Sequence, residues 1–487
     1  MLPELTLIYN NTKDYLSSEE WGFIEKAYLL SKTYHQGQKR KTGEDFVNHP
    51  LRVAIELSQL KQDASTIIAG LLHDILEDTN ITTDEIKKEF GDEILFLVQG
   101  LTKIHSLHHK VKTRQQYHQK KHYLDNLRSL FLAASQDYRI IIIKLMDRLD
   151  NMRTIWALNK ESQQKNSLET LDIYSPLAYY LGLENIASSL EELAFPYAYP
   201  KEYKMVKKYV GKKYLDLEKA LIISKRELSD YLNKNNCNFF DIEFRKKKLY
   251  SIYRKYLKEK DFNKIYDIIA LRIITQNIED CYLILGFIHQ LWLPLPGRLK
   301  DYIALPKPNG YRAIHTTTLT TNNQIVEIQI QTMEMYEYSK YGIASHWLYQ
   351  LNKENKSYIK RKQILKENPL LKTLQTINLK NQDGQTIYNI FVNELLKEQI
   401  FVLTPKGDVI NLPKGSTPID FAYKIHSDLG NHCQMAKVNN QIVPLNYQLQ
   451  SGDIVEIITN KNKKPNREWM KFTKIKSTKR KILDNLE

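Results

Sequence analysis

Cysteine is almost missing from this chain: Cys237, Cys281 and Cys433 are the only three in 487 residues, far apart and odd in number. That excludes a disulfide framework and a cysteine-type zinc ribbon, and it suits a reducing compartment. Long apolar runs are missing as well. The longest candidates, Ile67–Leu76 and Ile140–Leu145, fall short of the roughly 18 residues a membrane span needs, and the first carries His73 and Asp74. No membrane partner is expected. The opening MLPELTLIYNN has no basic flank ahead of an apolar core, so no secretory signal is expected either. A Walker-type phosphate loop is absent, because Gly211-Lys-Lys lacks both the upstream glycine and the following Ser/Thr. Acid is in deficit, with 56 Asp and Glu against 71 Lys and Arg, a formal charge of +15. This excess favours an anionic partner, nucleotide or nucleic acid. The alternative is that a Lys-, Asn- and Ile-rich composition reflects only an AT-biased genome.

What is present describes a multidomain globular protein. Hydrophobic residues make up 42% and charged residues 26%, which excludes a disordered chain. At roughly 100–200 residues per domain, about three domains are expected. After an extension over 1–20, residues 21–200 read as nearly all helix, with apolar residues at helical spacing through Trp21–Leu30, Val53–Leu60, Ile94–Leu101, Leu124–Ala134 and Ile140–Met152. Residues 201–350 turn into an α+β unit, with short β-type runs such as Leu271–Thr275 and Val326–Gln331 between Pro/Gly turns. Residues 351–397 read as a polar, basic linker or exposed helix. Residues 398–460 form a small β-rich unit, and 461–487 a basic tail.

Four side chains stand out in the helical third: His49, the adjacent His73 and Asp74, and Asp147. The pair is read within an apolar helix, and Asp147 within another. A carboxylate in a buried stripe costs several kcal/mol unless its charge is compensated. A divalent cation compensates two carboxylates beside two imidazoles, and a mixed N/O set suits Mn²⁺, Fe²⁺ or Zn²⁺ better than Ca²⁺. Glu77 follows His73 by four residues, which predicts the same helix face one turn on. A carboxylate there can take a proton from a water that a metal has acidified. Asn151 is placed on the face of Asp147 by the same spacing. Arg40 and Lys41, close to His49 in sequence, suggest a phosphate clamp, though an ordinary solvated charge run is the alternative.

A second group lies in the α+β unit. Arg245, Lys247, Ser251 and Lys255 could line one side of a phosphate chain. Asp267 and Glu327 are acids able to hold Mg²⁺. Alternation in the Val326–Gln331 strand places Glu327, Gln329 and Gln331 on the face opposite Val326, Ile328 and Ile330. Tyr311 follows Asn309-Gly310 in a turn, which is expected to leave its ring free to stack on a base. The alternative is a packed surface aromatic.

The segments HQGQKRKTGEDFVNHP, LLHDILEDT, LDNLRSLFLAASQDYRIIIIKLMDRLDNMRT and ETLDIYSPLAYYLGLENIASSLEELAF resemble the hydrolase half of the RelA/SpoT homologue family. Members of that family metabolise guanosine tetra- and pentaphosphate, (p)ppGpp. The resemblance implies an HD-type, Mn²⁺-dependent removal of the 3′-diphosphate, with His49, His73, Asp74 and Asp147 as metal ligands. It implies that Glu77 and Asp78 position or activate the attacking water, that Arg40 and Lys41 hold the nucleotide, and that Asn151 and Thr154 lie near ribose and base. Position 150 is Asp where the family more often shows His, and its side chain is expected to point away from the site.

FNKIYDIIALRIIT, CYLILGFIHQLWLPLPGRLKDYIALPKPNGYRAIHT, VEIQIQT and YGIASHW resemble the family's synthetase domain, which transfers pyrophosphate from ATP to the 3′-OH of GDP or GTP. Carried over, Asp267 and Glu327 become Mg²⁺ ligands, with Glu327 also catalytic. Arg245, Lys247, Ser251 and Lys255 become ATP-side contacts, Lys307 and Asn309 nucleotide contacts, and Tyr311 the guanine stacker. Arg298-Leu-Lys-Asp301 matches the basic variant that goes with bifunctional members. Departures cluster here: GYRAIHT for GYQSLHT, EIQIQT for EIQIRT, and SKYG for AEYG. Gln331 removes a cation, so weakened synthesis is expected. Residues 401–459 resemble a TGS domain, a β-grasp module read in the family as contacting the acceptor end of tRNA, with His432 at the family's histidine position. Together the resemblances imply three domains: an all-α HD-type phosphohydrolase, an α+β nucleotidyltransferase-like synthetase and a small β-grasp TGS domain. The expected partners are (p)ppGpp, GDP/GTP and ATP, and tRNA or the ribosome through the TGS domain and tail. The family's further C-terminal regions are not expected. The expected location is the cytoplasm, or the plastid stroma if the gene is organellar. Two other readings stay open: an HD phosphohydrolase of another nucleotide, and an RNA- or ribosome-binding regulator with degenerate sites.

Overall fold

The computed structural model describes residues 2–109, 132, 136–262, 265, 268–307, 309–342, 399–405, 407–450 and 452–486. It divides into two units, Met1–Ile387 and Tyr388–Glu487. The expected linker at 351–397, most of the Leu124–Ala134 stretch, the end of the α+β unit at 343–350, and Asp267 lie outside the described residues.

The first two hundred residues are helical, and local chemistry sets their ends. Ser17 and Glu20 form a reciprocal capping box before the Ser18–Tyr34 helix. Asp63 caps the Ala64–Leu71 helix through the Thr66 amide at 2.8 Å. Pro50 sits in the first turn of the Asn48–Gln59 helix, where its missing N–H has no intrahelical partner to lose. These last two helices cross closely. A Cβ on Gly70 would press on Leu57 Cδ1, so a larger residue there would force the Leu57 side chain to shift. The Arg139–Arg153 helix runs through the centre, with Ile140–Ile143, Leu145 and Met146 fully buried. It is buried nearly all round, and besides these apolar residues it carries buried Arg139, Lys144, Asp147 and Asp150.

One expectation fails here. His73 and Asp74 do not lie within a helix. They occupy a bend between the Ala64–Leu71 helix and the short Ile75–Asp78 helix. The His73 side chain explains the break: its Nδ1 lies 2.8 Å from the Gly70 carbonyl, satisfying by side chain an oxygen that a continued helix would satisfy by backbone. The same-face argument for Glu77 therefore lapses, although Glu77 stays close because its amide donates to the Asp74 carbonyl at 3.0 Å.

The α+β unit is a six-stranded mixed sheet. Its strands are β1 (Asp241–Lys246), β2 (Ile269–Thr275), β3 (Leu293–Pro294), β4 (Lys300–Asp301), β5 (Ile314–Leu319) and β6 (Ile325–Thr332). The order is β1-β2-β6-β5-β3, with β4 also on β5, and only β2 and β6 are parallel. Register aligns Arg245, Ala270, Glu327 and Thr317 in one row, and Glu243, Arg272, Gln329 and His315 in the next. Side chains directly opposite share a face, and so do those two apart along a strand. One face of the sheet thus carries Arg245, Arg272, Glu327, Gln329 and His315. The other sends Ile242, Leu271, Ile273, Ile314, Ile328 and Ile330 into a core shared with the Pro200–Lys234 helix. Gln331 is wholly buried at the end of the polar row, and neither amide atom has a hydrogen-bond partner among the described residues.

In the C-terminal unit, β7 (Gln399–Leu403) pairs with β8 (Val409–Pro413), and a second sheet runs in the order β10 (Gln441–Val443), β9 (Cys433–Val438), β11 (Val455–Thr459). The Pro418–Ile425 helix packs against them, as expected of a β-grasp module. The basic tail is not a loose extension of this unit. Trp469 and Ile482 join Ile419, Tyr423 and Cys433 in one apolar cluster. Buried Asp420 accepts hydrogen bonds from the Lys474 and Ile475 amides, both at 3.0 Å. A count of charges missed this because apolar residues anchor the segment, and even Lys481 turns its Nζ to the Tyr423 carbonyl at 3.4 Å.

Candidate active site

The helical unit brings His49, His73, Asp74 and Asp147 to a common point. His49 enters from the start of its helix, His73 and Asp74 from the bend, and Asp147 from the central helix. His49 Nε2 lies 3.2 Å from Asp147 Oδ1 and 3.6 Å from Asp74 Oδ2. His73 Nε2 lies 3.1 Å from Asp74 Oδ2 and 4.0 Å from Asp147 Oδ1. Ligand atoms of His49, His73 and Asp74 all fall within 4.8 Å of one another, and all four residues are buried.

The charge arrangement fits a cation. His73 Nε2 is buried without an aligned hydrogen-bond partner, despite the short distance to Asp74. Its Nδ1 is engaged by the Gly70 carbonyl, so Nε2 is turned to the carboxylates. Burial opposes a charge on His73, but Asp74 and Asp147 outweigh it and push its pKa up to about 9. Burial likewise opposes ionised Asp74 and Asp147, and neighbouring cations reverse it: His73 holds Asp74 well below the usual carboxylate range, and Lys144 does so for Asp147. Two imidazoles and two carboxylates, one imidazole with an orphaned nitrogen, make a donor set for a divalent transition ion.

Around this set stand the other named residues. Glu77 is half-buried and Asp78 exposed at the end of the short helix, whose last carbonyl accepts Gln38 Nε2 at 2.7 Å. That bond ties the Arg40 loop to the bend. Arg40 reaches Asn151 Oδ1 and lies 2.9 Å from Asp150 Oδ2, while Asn151 Nδ2 donates to Asp147 Oδ1. Lys41 is exposed beside Arg40, and Thr154 ends the central helix with its hydroxyl on the Asp150 and Asn151 carbonyls. Asp150 does not point away, contrary to expectation. It is fully buried, and its carboxylate meets His49, Arg40 and Arg52. The spacing argument failed because this helix is buried on almost every side, so a residue one step from Asn151 still faces protein.

Sequence reasoning also passed over Lys144, whose Nζ lies 2.6 Å from Asp147 Oδ2. A lone lysine inside an apolar run was the available signal. Arg52, three residues after His49, and Glu44 were passed over too, and they form a two-point ion pair at 2.8 Å on each arm.

The second constellation gathers on the polar face of the six-stranded sheet. Arg245 Nη1 donates to Gln329 Oε1 at 2.6 Å, and Gln329 Nε2 donates to Glu327 Oε1 at 2.9 Å. Burial opposes ionised Glu327, but His315, with Nδ1 3.3 Å away, and Lys247 hold it well below the usual range. Ser251 and Lys255 lie one turn apart on the Leu249–Glu259 helix that follows β1. Asn309 is buried with its amide nitrogen unpartnered among the described residues. Tyr311 departs from expectation: its ring is not free. It is buried, its hydroxyl is 2.9 Å from His315 Nε2, and Lys307 Nζ stands 4.4 Å from its centroid. Gly310, at φ 80°, folds the loop back so that the ring enters the cluster instead of leaving it. In the C-terminal unit, His432 is half-exposed, with Nδ1 3.0 Å from the Asp428 carbonyl.

Three sequence-family models match in succession: an HD domain over residues 27–184, the region found in RelA / SpoT proteins over 244–354, and a TGS domain over 400–459. Over 465 residues the chain is 44% identical to the guanosine-3′,5′-bis(diphosphate) 3′-pyrophosphohydrolase of Aquifex aeolicus (strain VF5), covering 94% of this chain and 64% of that one. It is 40% identical over 460 residues to the GTP pyrophosphokinase of Myxococcus xanthus, covering 94% and 59%. It is 39% identical over 465 residues to the guanosine-3′,5′-bis(diphosphate) 3′-pyrophosphohydrolase of Borreliella burgdorferi (strain ATCC 35210 / DSM 4680 / CIP 102532 / B31), covering 94% and 67%. The chain thus spans 59–67% of the length of these curated relatives. No helix among the described residues is long and apolar enough to cross a membrane.

Proposed function

The chain belongs to the RelA/SpoT family, and from that premise we propose that it hydrolyses (p)ppGpp at the 3′-diphosphate, yielding GDP or GTP and pyrophosphate. The observation that carries this reading is the convergence of His49, His73, Asp74 and Asp147 around an unsatisfied imidazole nitrogen. Mn²⁺ is the ion we assign to this set, since mixed imidazole and carboxylate donors suit it. A divalent ion held there supplies Lewis acidity to a phosphoryl oxygen and lowers the pKa of a bound water.

The protein's own groups do the rest. Glu77 and Asp78, at the end of the bend, receive the proton of the attacking water. Arg40 and Lys41 bind the nucleotide's phosphates, and Asn151 and Thr154 sit toward ribose and base. Asn151 links Asp147 to Arg40, so the ligand set and the phosphate-binding loop move together.

For the sheet-borne site we propose pyrophosphate transfer from ATP to GDP or GTP. Glu327 and Asp267 would hold Mg²⁺, and Arg245, Lys247, Ser251 and Lys255 would lie along the ATP phosphates. Lys307, Asn309 and Tyr311 would form the guanosine side once nucleotide displaces Lys307 from the Tyr311 ring. The partner assigned to the C-terminal unit is the acceptor end of tRNA, with His432 at the contact.

Paired assays test the reading: ppGpp breakdown with Mn²⁺, and pyrophosphate transfer from ATP to GDP with Mg²⁺. Release of GDP and pyrophosphate in equal amounts supports the hydrolase. Absence of turnover in both assays, with tight tRNA binding, would favour the regulator instead.

A further inference from the structure

Asp150 is a buried carboxylate that the proposed chemistry does not use, and its contacts are specific. Its Oδ2 lies 2.7 Å from His49 Nδ1, 2.9 Å from Arg40 Nη1 and 3.1 Å from Arg52 Nη2, and its Oδ1 accepts Arg52 Nε at 2.5 Å. Arg52 is in turn gripped by Glu44, whose own carbonyl accepts the Arg40 amide at 2.9 Å. The group closes a ring from the phosphate-side loop through Glu44, Arg52 and Asp150 back to Arg40, with His49 attached at Asp150.

Two consequences follow from the chemistry of these atoms. An ionised carboxylate only accepts, so His49 Nδ1 must carry the hydrogen in this bond. Nε2 is left as the nitrogen facing Asp147 and Asp74. Metal-binding imidazoles are oriented and made more basic in this way, and losing the partner costs about 10–100-fold in metal affinity. The formal charges of Arg40, Arg52, Glu44 and Asp150 also cancel, so Asp150 can stay ionised in a fully buried position.

Resting on the metal-dependent reading above, we propose that Asp150 is the positioning residue of this site. It fixes His49 with Nε2 toward the ion and, through the same carboxylate, holds Arg40 in register with the metal ligands. It acts through His49 and Arg40 and is not itself a ligand.

The test is Mn²⁺ affinity, read from free Mn²⁺ by electron paramagnetic resonance on the metal-stripped protein. Asp150→Asn keeps the volume and an acceptor oxygen but loses the charge, and its affinity is expected to fall 10–100-fold. Arg52→Gln weakens the same ion network but leaves the Asp150 carboxylate on His49, and its affinity is expected to fall less than that of Asp150→Asn. Equal losses in the two variants, or no loss in Asp150→Asn, would overturn the inference while leaving the metal site standing. No Mn²⁺ binding by the wild-type chain would overturn both. A wild-type crystal soaked in Mn²⁺ decides the matter even if Asp150→Asn does not fold. Ligation through His49 Nε2 with Nδ1 still on Asp150 supports the inference, and ligation through Nδ1 ends it.

Discussion

Lys144 Nζ lies 2.6 Å from Asp147 Oδ2, and both side chains are buried in the middle of the same helix. Burial works against a charged Lys144, but Asp147 reverses it and raises its pKa above the ordinary lysine value. The lysine neutralises Oδ2, while Oδ1 faces His49 Nε2 at 3.2 Å and accepts from Asn151 Nδ2.

Replacing Lys144 by Met should therefore weaken the metal-free protein by about 3 kcal/mol, the scale of breaking a buried ion pair from one side. Saturating Mn²⁺ should restore more stability to the variant than it adds to the wild type, because the ion takes over part of the lost charge. Thermal or urea unfolding with and without Mn²⁺ reads this. An equal metal-dependent gain in both proteins would show that Lys144 does not share the task of the cation.

Two separated sites should fail separately. Asp74→Ala removes a metal donor, and ppGpp hydrolysis should fall to background while any ATP-dependent synthesis persists. Glu327→Gln removes a charge from the sheet face and should lower synthesis by about 100-fold or more, with hydrolysis unchanged. Parallel loss of both activities in either variant contradicts the assignment of separate sites.

The raised pKa of His73 gives a pH dependence with a definite sign. In the metal-free protein its folded value is about 9, against an ordinary histidine value of 6.5. The protonated form therefore contributes stability that is complete below pH 6.5 and is lost as pH rises through 9. A metal must displace that proton, so binding near pH 7 should release about one proton and tighten as pH rises toward 9. Titration calorimetry in two buffers of different ionisation enthalpy measures the release. A value near zero contradicts the assignment of His73 as a ligand.

The tail should behave as part of the C-terminal fold. Trp469→Ala opens a cavity in the cluster of Ile419, Tyr423, Cys433 and Ile482, and should cost about 3–5 kcal/mol. Deleting residues after 460 should cost at least as much, since it also strips two donors from buried Asp420. Hydrogen exchange in the Pro418–Ile425 helix reports the effect, and unchanged protection would mean that the tail only rests on the surface.

The sequence disclosed residue types more readily than their directions. The grouping of His49, His73, Asp74 and Asp147 was legible because buried acids beside histidines are expensive unless their charge is shared, and Asp147 and Asn151 kept the helical spacing expected of them. The polar row through Glu327 and Gln329 was legible from strand alternation alone. His73 and Asp74 were misread as helical because an apolar run hides a bend that a side-chain bond to the Gly70 carbonyl creates. Asp150 was misplaced because outward-versus-inward reasoning assumes a helix with one wet face, and the Arg139–Arg153 helix has almost none. Tyr311 was read as free because a turn suggests exposure, whereas this turn folds its ring inward against His315. Lys144 needed partners distant in the fold to be recognised, and no local pattern supplies those.

The central claim is that His49, His73, Asp74 and Asp147 hold one ion on which removal of the 3′-diphosphate depends. Metal-stripped protein titrated with Mn²⁺, with GDP release from ppGpp followed at each step, tests it most directly. Turnover should be absent without metal, rise with occupancy of a single site, and vanish in Asp74→Ala at any Mn²⁺ concentration. Undiminished turnover after chelation, or full activity in Asp74→Ala, would contradict the account.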